Sequence, residues 1–319
     1  MNIKSSQNFN KRVEPKPIIL VQGLTKRYGD LTAVDNINFS VAAGETFGIL
    51  GPNGAGKTTT LEMIEGLKQM TSGEIRLDGL DVHTHTREVK SRIGVQLQAS
   101  SFFDGLNLKE LLITFASLYG RPANPMELLK KVELDEKAKS KVKELSGGQK
   151  QRLSIAVGLV NDPKVLFLDE PTTGLDPQAR RNMWDLITQI KKQGKTIVLT
   201  THYMEEAEVL CDRIAIMDHA KIIKLDTPLN LLRNSGVAST ITFRVDKSCP
   251  IEHFEKSPAV EKAIAEDHGF RLISSNPEET LPALFSHEGD CQFKLFDLQL
   301  RQATLEDVFL KLTGRKLRE

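Results

Sequence analysis

The sequence lacks any long apolar segment. Its longest uninterrupted apolar runs are about four residues, as in 165–168, within a chain of 319 residues. A helix needs about 18 such residues to cross a bilayer, so we expect no membrane-spanning helix here. Residues 1–17 are polar and contain no apolar core, so we expect a flexible arm there and not a signal peptide.

Cysteine is scarce, and the charges nearly balance. The three cysteines, Cys211, Cys249 and Cys291, are scattered and lack CxxC spacing. An odd, scattered set argues against a disulfide framework or a zinc site and indicates a reducing compartment. The formal net charge of +1 gives no overall attraction to nucleic acid or to an anionic membrane. The length allows one large and one small domain.

What the sequence does contain is a phosphate-binding loop. Residues 51–58 match G-x-x-x-x-G-K-[ST] and lie between a short apolar strand, 45–50, and the start of a helix, 59–64. The glycines let successive backbone N–H groups surround an anion, and the helix directs its positive end at the same point. Lys57 can contact the β- and γ-phosphates, and the Thr58 hydroxyl can bind Mg²⁺. A glycine-rich turn without a ligand is the alternative, and the flanking strand and helix argue against it.

A second feature is an apolar strand that ends in two carboxylates. Residues 165–168 are all apolar, and Asp169 and Glu170 follow them. Such strands lie in the centre of a sheet, and ligands of open α/β sheets bind beyond their carboxyl ends. Side chains alternate along a strand, so Asp169 can bind Mg²⁺ while Glu170 orients or deprotonates a water. A pair of exposed acids at a strand end is the alternative.

Three further residues give weaker signals on their own. Ser146 and two following glycines open a helix, which makes either a second phosphate contact or a capping turn. His202 follows the apolar strand 196–200 and can reach a γ-phosphate, although a lone histidine is more often a structural hydrogen-bonding residue. Tyr28, beside Gly29, can stack on a nucleobase, but its spacing alone favours an ordinary half-buried tyrosine.

The character of the chain changes near residue 235. Three strands and three helices are predicted beyond it: strands at 240–245, 270–274 and 291–296, and helices at 260–266, 277–285 and 305–312. We expect a small α+β unit without a Gly-rich loop and without a clustered set of acids, bases or metal ligands.

In order and spacing, these motifs resemble the nucleotide-binding subunit of ABC transporters. The likeness covers about residues 18–235, and it is specific because LSGGQ lies between the phosphate loop and the acidic strand. The positions similar to the Walker A loop, Q-loop, signature motif, Walker B strand, D-loop and H-loop are Gly51–Thr58, Gln98, Leu145–Gln149, Asp169–Glu170, Asp176 and His202.

The resemblance implies an α/β P-loop NTPase fold of the ABC type, with an antiparallel β subdomain and a helical subdomain. It implies ATP and Mg²⁺ as ligands, with Glu170, His202 and Gln98 acting in hydrolysis. Thr58, Gln98 and Asp169 would bind the metal. The nucleotide contacts that it implies are Tyr28, stacked on adenine, and Gly51, Pro52, Asn53, Gly54, Ala55, Gly56, Lys57, Thr58 and Thr59.

The resemblance also implies a dimer. Two copies of the family pair head to tail, so each ATP would lie between the phosphate loop of one copy and the signature segment of the other. The signature residues are Leu145, Ser146, Gly147, Gly148 and Gln149. The motif before Asp176 reads Thr-Gly-Leu in place of Ser-Ala-Leu, and Thr200 and Thr201 stand where many relatives have serines. Neither departure removes a hydrolytic residue.

The tail carries a narrower likeness. Residues 303–315 are similar to the C-terminal end of daunorubicin-resistance-type ATPases, which power ABC-2-type exporters of drugs, antibiotics, lipids or polysaccharides. The division that follows is a flexible arm at 1–17, an ABC ATP-binding domain at 18–235 and an accessory domain at 236–319. We expect a subunit at the inner face of the cell membrane, bound to a separate integral membrane permease.

The resemblance implies that the segment after Gln98 lies against the permease, so Phe102 and Phe103, which follow Gln98 closely, are predicted to contact it. Aromatic side chains bury a large area with few rotatable bonds, which suits an anchor. Ordinary core packing of one or both rings is the alternative.

The alternative function is a soluble ABC-type ATPase that acts on a ribosome or a nucleic-acid complex. Ribosome-associated relatives usually carry two cassettes in one chain, whereas this chain has one Lys57 and one Ser146. Chromosome-maintenance relatives insert long coiled coils, and no sustained heptads occur here. A small-molecule kinase would not need LSGGQ. We therefore favour a transport ATPase and expect no nucleic-acid partner.

Overall fold

The computed structural model describes residues 16–96, 102–103, 105–246, 249–267, 269–286 and 293–314. The strands are β1 (Ile19–Tyr28), β2 (Leu31–Val41), β3 (Thr46–Leu50), β4 (Ser72–Leu77), β5 (Leu80–Asp81), β6 (Ile93–Gln96), β7 (Val165–Asp169), β8 (Thr196–Thr201), β9 (Arg213–Asp218), β10 (Lys221–Asp226), β11 (Ser239–Val245), β12 (Val260–Glu266), β13 (Gly269–Ser274) and β14 (Leu295–Arg301).

The helices are α1 (Lys57–Ile64), α2 (Thr86–Lys90), α3 (Leu108–Leu118), α4 (Pro125–Lys131), α5 (Gly147–Gly158), α6 (Pro177–Lys192), α7 (Met204–Leu210), α8 (Pro228–Arg233), α9 (Ile251–Glu255), α10 (Pro277–Ser286) and α11 (Leu305–Thr313). Two short 3₁₀ turns cover Asp135–Lys137 and Val142–Glu144. Within the described ranges, no helix is both long and apolar enough to cross a membrane.

The described strands form three sheets. The strand orders are β2-β1-β4-β5, β10-β9-β3-β8-β7-β6 and β12-β13-β11-β14. Strands β6, β7 and β8 run parallel, with Val165 opposite both Ile93 and Thr196. Every residue of β7 and β8 is buried, which explains why the sequence of β7 is a continuous apolar run. The carboxyl end of β7 carries Asp169 and Glu170, as predicted.

Spatial proximity divides the chain into two compact units. The first comprises Met1–Phe47, Gly56–Thr200 and His219–Lys221, and the second comprises Gly48–Ala55, Thr201–Asp218 and Ile222–Glu319. In the first unit, β1 pairs antiparallel with both β2 and β4. Helix α6 buries the stripe Met183, Trp184, Leu186, Ile187 and Ile190. This spacing of apolar residues is that of one helix face, so α6 is fixed by its packing.

The second unit contains an antiparallel sheet with helices on one face. Its chain order is β11-α9-β12-β13-α10-β14, which with the sheet order β12-β13-β11-β14 is the ferredoxin-like split βαβ arrangement. Phe254 lies at the centre of its core, with ring centroids 4.4 Å from Phe270, 5.2 Å from Phe243 and 5.4 Å from Phe293. The last helix, α11, packs against α7 and α8 of the same unit.

Two expectations from the sequence are wrong. Residues 260–266 form strand β12 and not a helix, because they pair with β13 along their length, as Ala263 does with Leu272. Pairing with a neighbouring strand outweighs a short helical pattern.

Cys249 is disulfide-bonded, although the cysteine count argues against a disulfide. Cysteine counting uses number and spacing and does not reveal which segments fold side by side. Cys211 is buried and is not disulfide-bonded.

Candidate active site

The phosphate loop between β3 and α1 requires its glycines. Gly54 and Gly56 have φ values of 82° and 103°, in the left-handed region that residues with a Cβ rarely adopt. A Cβ on Gly51 would lie 2.2 Å from the backbone oxygen of Met217, so this position is closed to any other residue. The loop is closed further by a hydrogen bond from the Ala55 N–H to the Pro52 carbonyl, 3.1 Å long.

Helix α1 starts at Lys57, and this lysine is almost fully buried. Its Nζ lies 3.3 Å from Glu170 Oε1, and the two side chains are 4% and 7% exposed. Burial lowers the pKa of Lys57, while the negative charges of Glu170 and Asp169 raise it. A buried ammonium needs an anionic partner, and a bound phosphate would supply further negative charge at the same place.

Thr58 and Asp169 bring a hydroxyl and a carboxylate together. The Thr58 Oγ1 lies 3.3 Å and 3.2 Å from the two carboxylate oxygens of Asp169, to which it donates. The Thr200 hydroxyl also donates to Asp169. Burial raises the pKa of Asp169, and the hydrogen bonds from Thr200 and Thr58 oppose that rise. Adjacent hydroxyl and carboxylate oxygens are ligands that Mg²⁺ prefers, so these residues fit that ion.

Glu170 is held by both its backbone and its side chain. Its φ is 47°, an uncommon value for a residue with a side chain. Its N–H donates to the carbonyl and the hydroxyl of Thr200, at 3.2 Å and 3.1 Å. The Thr173 hydroxyl donates to Oε2 at 3.1 Å, while Oε1 faces Lys57. Strained backbone of this kind is typical of functional sites.

Sequence reasoning missed the supporting roles of Thr173 and Thr200. In the sequence, both positions stand out only as departures from the usual family pattern. The Thr200 hydroxyl contacts Asp169 and Glu170, and the Thr173 hydroxyl contacts Glu170. A signal was available, since hydroxyl residues directly beside a strand-end acid are natural donors to it.

Glu65, at the C-terminal end of α1, is a buried carboxyl that the motifs did not indicate. Its side chain is 1% exposed, and burial, with the nearby charges of Asp169 and Glu62, raises its pKa to about 8. Within the described residues, its Oε1 has no hydrogen-bond partner. The available signal was its place one turn after Leu61, on the buried side of α1.

The signature segment forms the N-terminus of α5. Ser146 is its N-cap: the side chain accepts from the Gln149 N–H at 3.3 Å, and Gln149 Oε1 accepts from the Ser146 N–H at 3.0 Å. This reciprocal pair is a capping box, so the capping role foreseen as one alternative is real. Leu145 is buried, while Ser146 and Gly147 are exposed and accessible to a ligand from outside the chain.

The D-loop aspartate caps the next long helix. Asp176 accepts from the Ala179 N–H at 2.9 Å, and Pro177 occupies the first turn of α6. Both residue types are favoured at these positions, which explains why the helix begins here. The Asp176 side chain remains exposed.

Tyr28 ends strand β1 with a partly exposed ring. The ring is 43% exposed, and the Lys26 Nζ lies 4.8 Å from its centroid. That amine also donates to the Gln69 carbonyl at 2.7 Å, which holds it over the ring. The Lys68 Nζ lies 5.9 Å from the same centroid. The exposed part of the ring is open to a flat ligand.

His202 directly follows β8 and lies against the next residue. The His202 and Tyr203 ring centroids are 4.1 Å apart, and the Tyr203 N–H donates to the Thr201 hydroxyl at 2.9 Å.

Gln98 lies outside the described residues. Phe103 is 58% exposed, and Phe102 is half-buried.

The structure therefore brings Lys57, Thr58, Asp169 and Glu170 into one cluster, supported by Thr200. A strand, a phosphate loop and a helix follow one another in the chain, and the acidic end of a second buried strand lies against the start of that helix; these features define a P-loop nucleoside triphosphatase.

Comparisons with known proteins narrow this class. Residues 34–173 match the family model described as ABC transporter. The chain is 39% identical over 308 residues to the Nod factor export ATP-binding protein I of Ralstonia nicotianae. The aligned region covers 95% of this chain and 96% of that protein. The chain belongs to the ABC transporter ATP-binding family, and it is an ATPase.

Solved structures agree with this assignment. One is an ATP-binding subunit of an ABC transporter, 27% identical, with a TM-score of 0.62 over 69% of this chain and 93% of that chain. Another is a dimeric ATP-binding cassette in a post-hydrolysis state bound to ADP and Pi, 28% identical, with a TM-score of 0.60 over 66% of this chain and 98% of that chain. The predicted ABC-type fold is confirmed.

Proposed function

We propose that this chain is the ATP-hydrolysing subunit of an ABC exporter and that it drives a separate membrane permease. The observation that supports ATP hydrolysis is the buried Lys57–Glu170 ion pair beside Thr58 and Asp169. The exporter part is supported by the relatives named Nod factor export ATP-binding protein I. The tail at 303–315 supports the ABC-2, daunorubicin-resistance-type subclass, with drugs, antibiotics, lipids or polysaccharides as candidate cargo.

The roles of the site residues follow from their positions. The loop from Gly51 to Thr59 surrounds the phosphates with backbone N–H groups, and Lys57 contacts the β- and γ-phosphates. Thr58 and Asp169, with Gln98, would hold Mg²⁺, and the ion would neutralise charge on the phosphates. Tyr28 stacks on adenine.

Glu170 acts on the attacking water. The water oxygen bonds to the γ-phosphorus, the bond from that phosphorus to the ADP oxygen breaks, and a water proton passes to the Glu170 carboxylate. The Thr173 hydroxyl donates to the Glu170 carboxylate and the Glu170 N–H donates to the Thr200 hydroxyl, so Glu170 is fixed and little reorganisation is needed during the reaction. His202 contacts the γ-phosphate.

The ATP site is completed by a second copy of the chain. Ser146 and Gly147 are exposed at the N-terminus of α5, where a helix favours an anion. In a head-to-tail pair, residues Leu145 to Gln149 meet the ATP held by the partner's phosphate loop, and Asp176 lies in the D-loop beside them. A solved relative of this fold is dimeric.

The proposed location is the inner face of the cell membrane, on an integral permease. The proposed division of the chain stays as the sequence predicts, with an ATP-binding domain at 18–235 and an accessory domain at 236–319. Phe103 provides an exposed aromatic side chain, and Phe102 lies beside it, so both are candidates for the permease contact.

Changing Phe102 and Phe103 together to serine tests the docking proposal. We expect the isolated variant to keep its thermal stability and ATPase activity but to lose recovery with membranes when it is co-expressed with its permease, because the anchor is gone. Recovery is measured by quantifying the subunit in washed membranes. Phe285→Ser is the matched control, since that ring is 59% exposed and Phe103 is 58% exposed.

Unchanged membrane recovery, or loss of folding by the double variant, would contradict the docking role. Wild-type chain found on ribosomes or nucleic acid and absent from membranes would favour the soluble alternative.

A further inference from the structure

Helix α7 begins two residues after His202 in the chain. Tyr203 is the N-cap residue of α7, and its ring packs on the His202 ring at 4.1 Å. The helix has seven residues, and no side chain caps its N-terminus. So short a helix has little stability of its own, so its position depends on what packs against it.

The C-terminal helix α11 is one of the elements that pack against α7. It also packs against α8, and its side chains Leu305, Val308 and Phe309 are buried. The Leu305 N–H donates to Glu208 Oε1 at 2.9 Å, which joins the first turn of α11 to the outer face of α7. A carboxylate at a helix N-terminus also interacts favourably with the helix dipole.

Helix α11 is itself fixed at both ends. At its start, Thr304 and Asp307 form a capping box, in which the Thr304 N–H donates to the Asp307 carboxylate at 3.0 Å. At its end, Gly314 has a φ of 71° and donates its N–H to the Leu310 carbonyl at 2.8 Å. A helix capped in this way is a firm support for a short neighbour.

We propose that α11 holds α7 in place through Glu208 and thereby positions His202 for ATP hydrolysis. Glu208 is a positioning residue, since it contacts α11 and acts through the histidine at the other end of its own helix. This inference rests on the proposed role of His202, and it gives the C-terminal region a part in hydrolysis that the sequence did not indicate.

The test compares Glu208→Ala, Glu208→Gln and the control Glu205→Ala in the purified full chain. Glu205 is exposed on the same helix and serves as a matched site. We expect Glu208→Ala to lower kcat about three- to tenfold with KM for ATP within about twofold, the size of a typical intramolecular hydrogen bond. Glu208→Gln, which keeps the acceptor oxygen, should restore most of the rate, and Glu205→Ala should match wild type.

A double-mutant cycle with His202→Ala then distinguishes positioning from a general structural effect. Slow rates are read from single-turnover hydrolysis of radiolabelled ATP. If Glu208 acts through the histidine, Glu208→Ala should add less than about a twofold loss in the His202→Ala background.

The inference is overturned if Glu208→Ala hydrolyses ATP normally, if Glu205→Ala loses as much, or if the loss persists undiminished without His202. If His202→Ala itself hydrolyses ATP at the wild-type rate, the proposed role of His202 fails, and the inference fails with it for that separate reason.

Discussion

At the scale of single residues, the site is defined by a buried pair of opposite charges. Lys57 and Glu170 are almost fully buried, and each is the close ionic partner of the other at 3.3 Å. Removing one partner of such a pair is far more costly than replacing both by apolar residues, because it leaves a buried charge without its ionic partner. The proposed base is therefore also a stabilising residue in the absence of nucleotide.

Changing Glu170 to glutamine should separate binding from hydrolysis. Glutamine keeps the size of the side chain but cannot accept the water proton, so we expect kcat to fall by about 100-fold or more while Mg-ATP still binds. The measurement is steady-state ATPase activity together with equilibrium nucleotide binding. Glu74→Gln, at a partly exposed surface position, is the control and should behave as wild type.

The same variant should unfold at a lower temperature without nucleotide, because Lys57 loses its carboxylate partner, and it should recover with ATP. Near-normal steady-state hydrolysis by Glu170→Gln would refute the assignment of the base.

Glu65 should make the stability of the protein depend on pH. Its folded pKa is raised from 4.5 to about 8, so the folded chain binds this proton more tightly than the unfolded chain does. Its contribution to the free energy of unfolding is therefore fully present below pH 4.5 and is lost as the pH rises through about 8. Glu65→Gln cannot ionise, so it should be more stable than wild type at pH 9, on the order of a few kcal/mol.

Urea unfolding at pH 6 and pH 9 checks this prediction. Glu88→Gln, at an exposed position on α2, is the control and should keep the wild-type dependence. Equal pH dependence of wild type and Glu65→Gln would show that Glu65 does not hold its proton in the folded state.

At the scale of helices and strands, most ends are fixed by short local signals. Ser146 and Gln149 cap α5, Asp176 and Pro177 start α6, and these residues are recognisable in the sequence because capping acts over three positions. Strand β12 shows the limit of local signals. Its residues fit a helix when taken alone, but β13 supplies hydrogen-bond partners that make the segment a strand.

At the scale of the whole molecule, one chain supplies one phosphate loop and one signature segment. The proposed trans arrangement predicts that Lys57→Ala chains and Ser146→Arg chains complement each other on mixing. Each homodimer has no intact site, whereas a heterodimer pairs the intact loop of one chain with the intact signature of the other. We expect about one ATP bound per heterodimer and a rate of hydrolysis above that of either variant alone.

Heterodimer formation is followed with two affinity tags, and wild type mixed with Lys57→Ala is the reference. A composite site is the intact phosphate loop of one chain facing the intact signature segment of the other. If heterodimers form but bind no ATP at such a site, Ser146 does not act across the dimer.

The sequence by itself determined the residues of the phosphate loop, the strand-end acids and the order of the motifs, and hence the family. These features can be identified from the sequence because binding a phosphate requires particular residue types at fixed spacing within a few consecutive positions. The fold followed from this, and the structure confirms it. The roles of the individual site residues remain predictions.

Only the tertiary structure decided which distant residues meet. It pairs Lys57 with Glu170, buries Glu65 without a partner for Oε1 among the described residues, and places α11 against α7. It also makes 260–266 a strand and Cys249 a disulfide partner. These outcomes depend on which surfaces come together when the chain folds, because the pattern within a segment can show which of its faces is buried but not which distant segment covers that face.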